Sequence, residues 1–255
     1  MPDAARAIAC ALDPVHLARA ADIEPDGWQS RLLRERASNI ILNVARQAGK
    51  STVAGLLACD EAINRAPSLV LMLAPSQRQA VELLRVTKRL FRDMGDLAPG
   101  IVQDSALSTE LANGSRLIAL PGTEATIRGF ASPALLVVDE AARIEDALFA
   151  ALRPMLAVSR GRMILLSTPF GKRGVFYETW MNGVGWHRVR LPATECPRID
   201  PEWLAQERRS LPPWVFDQEY MCEFSDANSQ VFATELIRAA LTDDLKPLFP
   251  HREHR

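Results

Sequence analysis

The stretch Asn39–Thr52 (NIILNVARQAGKST) constrains this chain more than any other. Its front half, Ile40, Ile41, Leu42 and Val44, is a short apolar run rich in β-branched residues. Its back half ends in Gly49-Lys50-Ser51-Thr52, after which Val53, Leu56 and Leu57 recur at helical spacing. Strand, loop and helix in that order suit a phosphate-binding loop. Such a loop must curl its amide N–H groups inward, send a lysine to the β and γ phosphates, and offer a hydroxyl to Mg2+. Gly49, Lys50 and Ser51 supply these in order, and the helix that follows points the positive end of its dipole at the phosphates. The pattern G-x-x-x-x-G-K-[ST] is met except at its first glycine, where Val44 stands. Lysine is scarce: of the 30 Lys plus Arg, only Lys50, Lys88, Lys172 and Lys246 are lysines, which weighs against a coincidental match.

A phosphate loop needs an acidic partner. Ala134–Val138 is a purely apolar run ending in Asp139-Glu140. A buried parallel strand reads as continuous aliphatic, and ligands sit at its C-terminal end. Asp139 is placed to hold Mg2+ directly or through water, and Glu140 to orient and deprotonate an attacking water. The competing reading is an Asp-Glu pair that caps the next helix. Met163–Leu166 is a further apolar strand, and it ends in Ser167-Thr168-Pro169, whose hydroxyls can touch a γ-phosphate or the lytic water.

At 255 residues and 48% hydrophobic content, the chain has room for one sizeable α/β core with a small appendage. A net charge of −1 gives no global basic field, so any nucleic-acid contact needs a local patch. Cys10, Cys59, Cys196 and Cys222 form no C-x-x-C pair and do not combine with the histidines at zinc-ligand spacing. They read as reduced thiols of a cytosolic protein. No signal peptide opens the chain and no apolar run approaches about 18 residues, so no membrane insertion is expected.

Residues 1–22 read as an alanine-rich helical lead-in, broken by Pro25-Asp26-Gly27, and Trp28–Arg36 reads as a helix. The Gln29 amide has the donor and acceptor that match the N6 and N7 edge of adenine, with Trp28 packing beside it; an ordinary surface glutamine is the alternative. Leu69–Ala74 is a second buried strand, and Pro75-Ser76-Gln77 starts a helix through Met94. On that helix Arg85, Lys88, Arg89 and Arg92 fall opposite the apolar face. This stripe is either a contact for a phosphate backbone or a subunit, or a solvated face. Residues 100–120 read as two short strands around the Asn113-Gly114 turn. The loop PGTEATIRGF follows, and its one strongly charged long side chain is Arg128. A helix through Trp180 and a strand over Trp186–Leu191 come next. From Pro192 onward, prolines punctuate two short helices, Glu202–Ser210 and Trp214–Met221, as in a lid or hinge.

With these residues in place, the chain resembles the N-terminal ATPase domain of a large terminase subunit of tailed bacteriophage, the viral DNA-packaging motor. The resemblance rests on Trp28-Gln29 as the adenine motif and on Arg46-Gln47-Ala48-Gly49-Lys50-Ser51 as a Walker A in which Arg-Gln replaces the glycine-rich front. It rests also on LLVVDEA (Leu135–Ala141) as Walker B, on Ser167-Thr168-Pro169 as the coupling motif, and on Glu219-Tyr220-Met221-Cys222-Glu223-Phe224 in the lid. It implies that Gln47, Ala48 and Thr52 join Gly49, Lys50 and Ser51 around ATP and that Arg46 lies against the γ-phosphate. It further implies that Arg128 is an arginine finger reaching a neighbouring subunit's ATP, with Arg143, Arg160 and Arg173 as competitors. The implied partners are double-stranded DNA, a portal protein, a small terminase subunit and other copies in a ring, on a procapsid in the host cell cytoplasm.

The expected fold is an additional-strand, RecA-like P-loop NTPase: a mostly parallel sheet flanked by helices over residues 1–191, a helical lid over 192–230 and a linker over 231–255. Large terminases continue into an RNase H-type nuclease, for which the stretch after Leu191 is too short. This chain therefore reads as an excised motor domain, and Asp243-Asp244 is not expected to form a nuclease site. A helicase would need a second motor domain. A nucleotide-dependent assembly protein that does not hydrolyse ATP would have no use for Glu140.

Overall fold

The computed structural model describes residues 4–122, 127 and 129–225. Arg128, the linker expected over 231–255 and Asp243-Asp244 lie outside the described residues.

The described residues form an eight-stranded sheet in the order β3-β4-β5-β2-β6-β7-β1-β8. Its strands are β1 (Asn39–Val44), β2 (Leu69–Ala74), β3 (Ile101–Asp104), β4 (Ser108–Leu111), β5 (Arg116–Pro121), β6 (Leu135–Asp139), β7 (Arg162–Ser167) and β8 (His187–Leu191). From β5 across to β8 every neighbouring pair is parallel. The strand of the acidic pair, β6, is separated from the strand of the phosphate loop, β1, by β7. That inserted strand is what the additional-strand reading requires, and the fold is the expected RecA-like P-loop one.

Period-two alternation splits each central strand between two layers. Ile40, Leu42 and Val44 face one apolar cluster together with Val70, Met72, Leu135, Val137, Ile164 and Leu166. Ile41 faces the other with Leu71, Leu73, Leu136, Val138 and Leu165. Helices α1 (Ala4–Leu12), α2 (Val15–Ala20), α3 (Gly27–Arg34), α4 (Lys50–Asn64) and α5 (Gln77–Asp93) cover the first face. Helices α6 (Asp146–Ser159) and α7 (Gly174–Asn182) cover the second. Each fully buried aliphatic side chain contributes about 1.5–3 kcal/mol, so this two-faced burial is what holds the strand ends in place.

Helix starts follow their local chemistry. Ser76 caps α5: its Oγ accepts the Gln79 N–H at 3.3 Å and the Gln79 Oε1 accepts the Ser76 N–H at 3.2 Å. The hairpin at Asn113-Gly114 forms as expected, with Ser108 opposite Ile118 and Glu110 opposite Arg116. Gly114 turns with φ +82°, a value that favours glycine. The sheet then gains β3, antiparallel to β4 and not foreseen from sequence.

Lys88 corrects the basic-stripe reading. It is buried, and its ammonium donates to the carbonyl of Ser105, lies 3.4 Å from that of Ser108, and pairs with Asp104. It therefore ties α5 to the β3–β4 turn, and only Arg85, Arg89 and Arg92 remain exposed.

Beyond β8, helices α8 (Pro201–Ser210) and α9 (Pro213–Glu219) pack around a small cluster of Ala193, Leu204, Phe216 and Cys222, which closes over Ala45 of the phosphate loop. The chain then runs back along the sheet end. The Arg46 N–H donates to the Glu219 carbonyl at 3.2 Å, the Ala193 N–H to Tyr220 at 2.7 Å, and the Asn43 side-chain amide to Cys222 at 2.9 Å.

Candidate nucleotide site

Because β1, β6 and β7 are parallel, their C-terminal ends meet on one side of the sheet. Asn43 pairs in register with Ser167, and Asp139 with Leu166. The phosphate loop and Glu140 thus open into one cleft of about 490 Å³, lined by Arg46, Gln47, Gly49, Lys50, Ser51, Thr52, Glu140 and Arg198. That volume falls within the range of small-molecule sites.

Gly49 holds the turn into α4 with φ +86°. A Cβ there would lie 2.6 Å from Arg198 Nη2 and 2.7 Å from Gln29 Nε2. Lys50 is buried, and its Nζ donates to the carbonyls of Val44 at 2.8 Å and Ala45 at 3.1 Å. Burial lowers its pKa, while Glu140 and then Asp139 act to raise it. Burial lifts the Asp139 carboxyl to about 6, Glu140 adds to the rise, and the Glu140 N–H and Lys50 oppose it.

Glu140 adopts φ +48°, outside ordinary strand and helix conformations, which turns the chain sharply after β6. Its Oε2 is buried without a hydrogen bond, with Arg143 Nε 3.4 Å away. Thr168 Oγ1 and Asn43 Oδ1 are likewise buried and unbonded. The unspent Glu140 oxygen, with the Lys50 ammonium and the Ser51 hydroxyl on the same cleft, fits a hard oxygen-seeking cation and a phosphate. Ser51 and Asp139 are the residues that would hold Mg2+.

Several expected contacts look different in three dimensions. Gln29 and Trp28 are both buried, not on the surface. The Gln29 Oε1 accepts the Asp26 N–H at 2.9 Å and its Nε2 donates to the Gly49 carbonyl at 3.4 Å. Its amide braces the phosphate loop from α3 and, in this conformation, presents neither end to a base. Arg46 reaches the cleft, but its guanidinium pairs with Glu219. Ser167 Oγ accepts the Ala142 N–H at 3.3 Å, which ties the turn after β6 to β7; neither Ser167 nor Thr168 lines the cleft. Ala48 is buried, and its carbonyl accepts from Arg198 Nη2 at 2.6 Å.

Sequence reasoning missed Arg198 and Glu219 as parts of the site. Arg198 also sits 2.9 Å from Asp26, so it links the segment after β8 to α3 and to the phosphate loop. Arg143, weighed as a trans arginine, engages groups of its own chain: Glu140, Glu219 at 3.5 Å, and the Phe170 ring with its centroid 4.2 Å from Cζ. Its spacing of three from Glu140 was the available signal.

The family described as terminase large subunit, T4likevirus-type, N-terminal, matches residues 41–239. The chain belongs to that family. The terminase large subunit of Thermus virus P23-45 is 25% identical over 250 residues, covering 82% of this chain and 50% of the relative. This chain thus spans about half the length of the curated relatives it matches. The large terminase ATPase domain of Thermus phage P74-26 superposes with a TM-score of 0.72 at 22% identity, covering 82% of this chain and 97% of that one. The large terminase of another thermophilic bacteriophage, solved in complex with ATP-gamma-S, gives 0.66 at 11% identity, over 78% and 52% of the two chains. Both likenesses support the terminase fold. Among the described residues no helix is long and apolar enough to cross a membrane.

Proposed function

We propose that this terminase domain binds Mg-ATP in the cleft between Gly49–Thr52 and Glu140 and hydrolyses it to drive double-stranded DNA into a procapsid. The observation that carries this reading is the shared cleft, in which the phosphate loop after β1 and Glu140 after β6 meet across the end of the intervening parallel strand β7. Family membership favours a packaging motor over a helicase, and a carboxylate in the cleft favours turnover over nucleotide binding alone.

In this mechanism the amides before α4 and the Lys50 ammonium bind the β and γ phosphates, and Lys50 exchanges its carbonyl partners for phosphate oxygens. Ser51 and Asp139 are the residues that would hold Mg2+, which would supply positive charge against the phosphates. Glu140 takes the proton of the attacking water at its unbonded Oε2. Arg46 approaches the γ-phosphoryl oxygens from the same chain. Arg128 is assigned as the finger acting in a neighbouring copy from its place in the sequence, supported by the cis engagement of Arg143. Of the coupling pair, Thr168 keeps an unspent hydroxyl, while Ser167 steadies the turn that carries Glu140.

Portal protein, small terminase subunit and a homo-oligomeric ring follow from the same reading, as does action in the host cell cytoplasm. Phosphate release per chain is expected to rise with protein concentration, and Arg128→Ala mixed with Lys50→Ala to regain part of the activity. A rate independent of concentration, with a mixture as inactive as its parents, would contradict the trans arrangement.

A further inference from the structure

Arg198 is the charged residue of the cleft that is tied to α3. Its Nη2 donates to the Ala48 carbonyl at 2.6 Å and stands 2.9 Å from Oδ2 of Asp26, the residue that caps α3. The end of the guanidinium also packs on Gly49, where an added Cβ would meet Nη2 at 2.6 Å and Nη1 at 3.1 Å. Even so, the Arg198 side chain stays 45% exposed and lines the cleft. Gln29, in the first turn of α3, is the reverse case, with only 1% of its surface exposed. Its Oε1 accepts the Asp26 N–H in the capping box that starts the helix, and its Nε2 donates to the Gly49 carbonyl. A side chain that reads a base needs surface to give to it, and turning this amide outward would break the cap.

We propose that Arg198 holds the base of a bound nucleotide by stacking its guanidinium plane on a purine ring, and that Gln29 does not read the base edge. This rests on the nucleotide reading of the cleft. With the γ-phosphate at Glu140 and Arg46, a triphosphate laid along the start of α4 carries its nucleoside toward Arg198 and α3. Hydrogen bonds from a guanidinium run in its plane, so the contacts with Ala48 and Asp26 fix its orientation and are compatible with a ring lying on one face. A side chain already pinned in this way loses little freedom when the ring settles on it. Stacking on a cation accepts any purine, because each has a π face, whereas telling adenine from guanine takes hydrogen bonds to the base edge. The substrate class that follows is purine nucleoside triphosphates, not adenine nucleotides alone.

The test is equilibrium binding of ATP-gamma-S, GTP-gamma-S and inorganic tripolyphosphate, each with Mg2+, to the whole chain and to Arg198→Ala and Arg198→Lys. The unaltered chain is expected to bind the two nucleotides within about fivefold of each other, and both more tightly than tripolyphosphate. Arg198→Ala is expected to weaken both nucleotides by about 5- to 30-fold and to leave tripolyphosphate within about twofold. Arg198→Lys keeps the charge beside Asp26 but has no planar face, so it is expected to lose most of the same affinity. A preference for ATP-gamma-S of roughly 100-fold or more would overturn the proposal, because the base edge would then be read. Tripolyphosphate falling in step with the nucleotides would overturn it too, by making Arg198 a prop of the phosphate loop, as would full affinity in the lysine variant. If the unaltered chain bound none of the three, the assignment of the cleft itself would fall, and the role of Arg198 with it.

Discussion

The ammonium group of Lys50 donates a 2.8 Å hydrogen bond to the carbonyl of Val44, the residue standing where the usual phosphate loop has its first glycine. A second bond, to Ala45, leaves the lysine folded back against its own loop. This buried cation has a lowered pKa, so at neutral pH its charge opposes folding: the folded state binds that proton less tightly than the unfolded chain does. Lys50→Met is therefore expected to keep its melting temperature or raise it, while nucleotide affinity falls by about 10- to 100-fold through loss of a charge-assisted contact. Thermal melts and binding titrations on the same samples check this. A large drop in melting temperature would mean that the ammonium holds the loop together.

Gly49 is the second position where the loop leaves no latitude. An L-residue at φ +86° costs about 1–2 kcal/mol, before the contacts a Cβ would make with Gln29 and Arg198. Gly49→Ala is expected to lower the melting temperature by roughly 2–8 °C and to weaken nucleotide binding, because the amide cradle has to shift. An unchanged melt would show that the loop tolerates the side chain.

Lys88 separates structure from function on α5. Lys88→Ala leaves Asp104 and the Ser105 and Ser108 carbonyls without their cation, which should cost about 1–3 kcal/mol. Urea denaturation is expected to report that loss with nucleotide binding unchanged. A nucleotide defect at full stability would restore Lys88 to a binding role.

The central strands were legible because a sheet buried on both faces writes itself as uninterrupted aliphatic runs. Leu69–Ala74 matches its expectation residue for residue, and the strand before Asp139 differs by only one residue at each end. β3 escaped because most of its residues face solvent and Val102 is 60% exposed, so no apolar pattern announces it. Helical periodicity places Lys88 correctly on the side away from the main core, but it cannot say that a turn of the sheet edge folds over that side. The site divides in the same way. Gly49, Lys50, Ser51, Asp139 and Glu140 carry their chemistry within a few residues of a strand end. Gln29 has one partner in its own turn and one in a distant loop, so its bracing role was hidden. Arg198 enters the cleft and Glu219 reaches Arg46 because the chain after β8 folds back across the sheet end, a long-range contact that no local pattern encodes.

Glu140 carries the central claim, since its carboxylate is needed only when water gives up a proton. The most direct measurement is phosphate release under saturating Mg-ATP by the intact chain and by Glu140→Gln, with nucleotide affinity determined on the same preparations. The account expects the variant to bind ATP within about twofold of the unaltered chain and to release phosphate roughly 10²–10⁴-fold more slowly. Equal rates in the two proteins would contradict it.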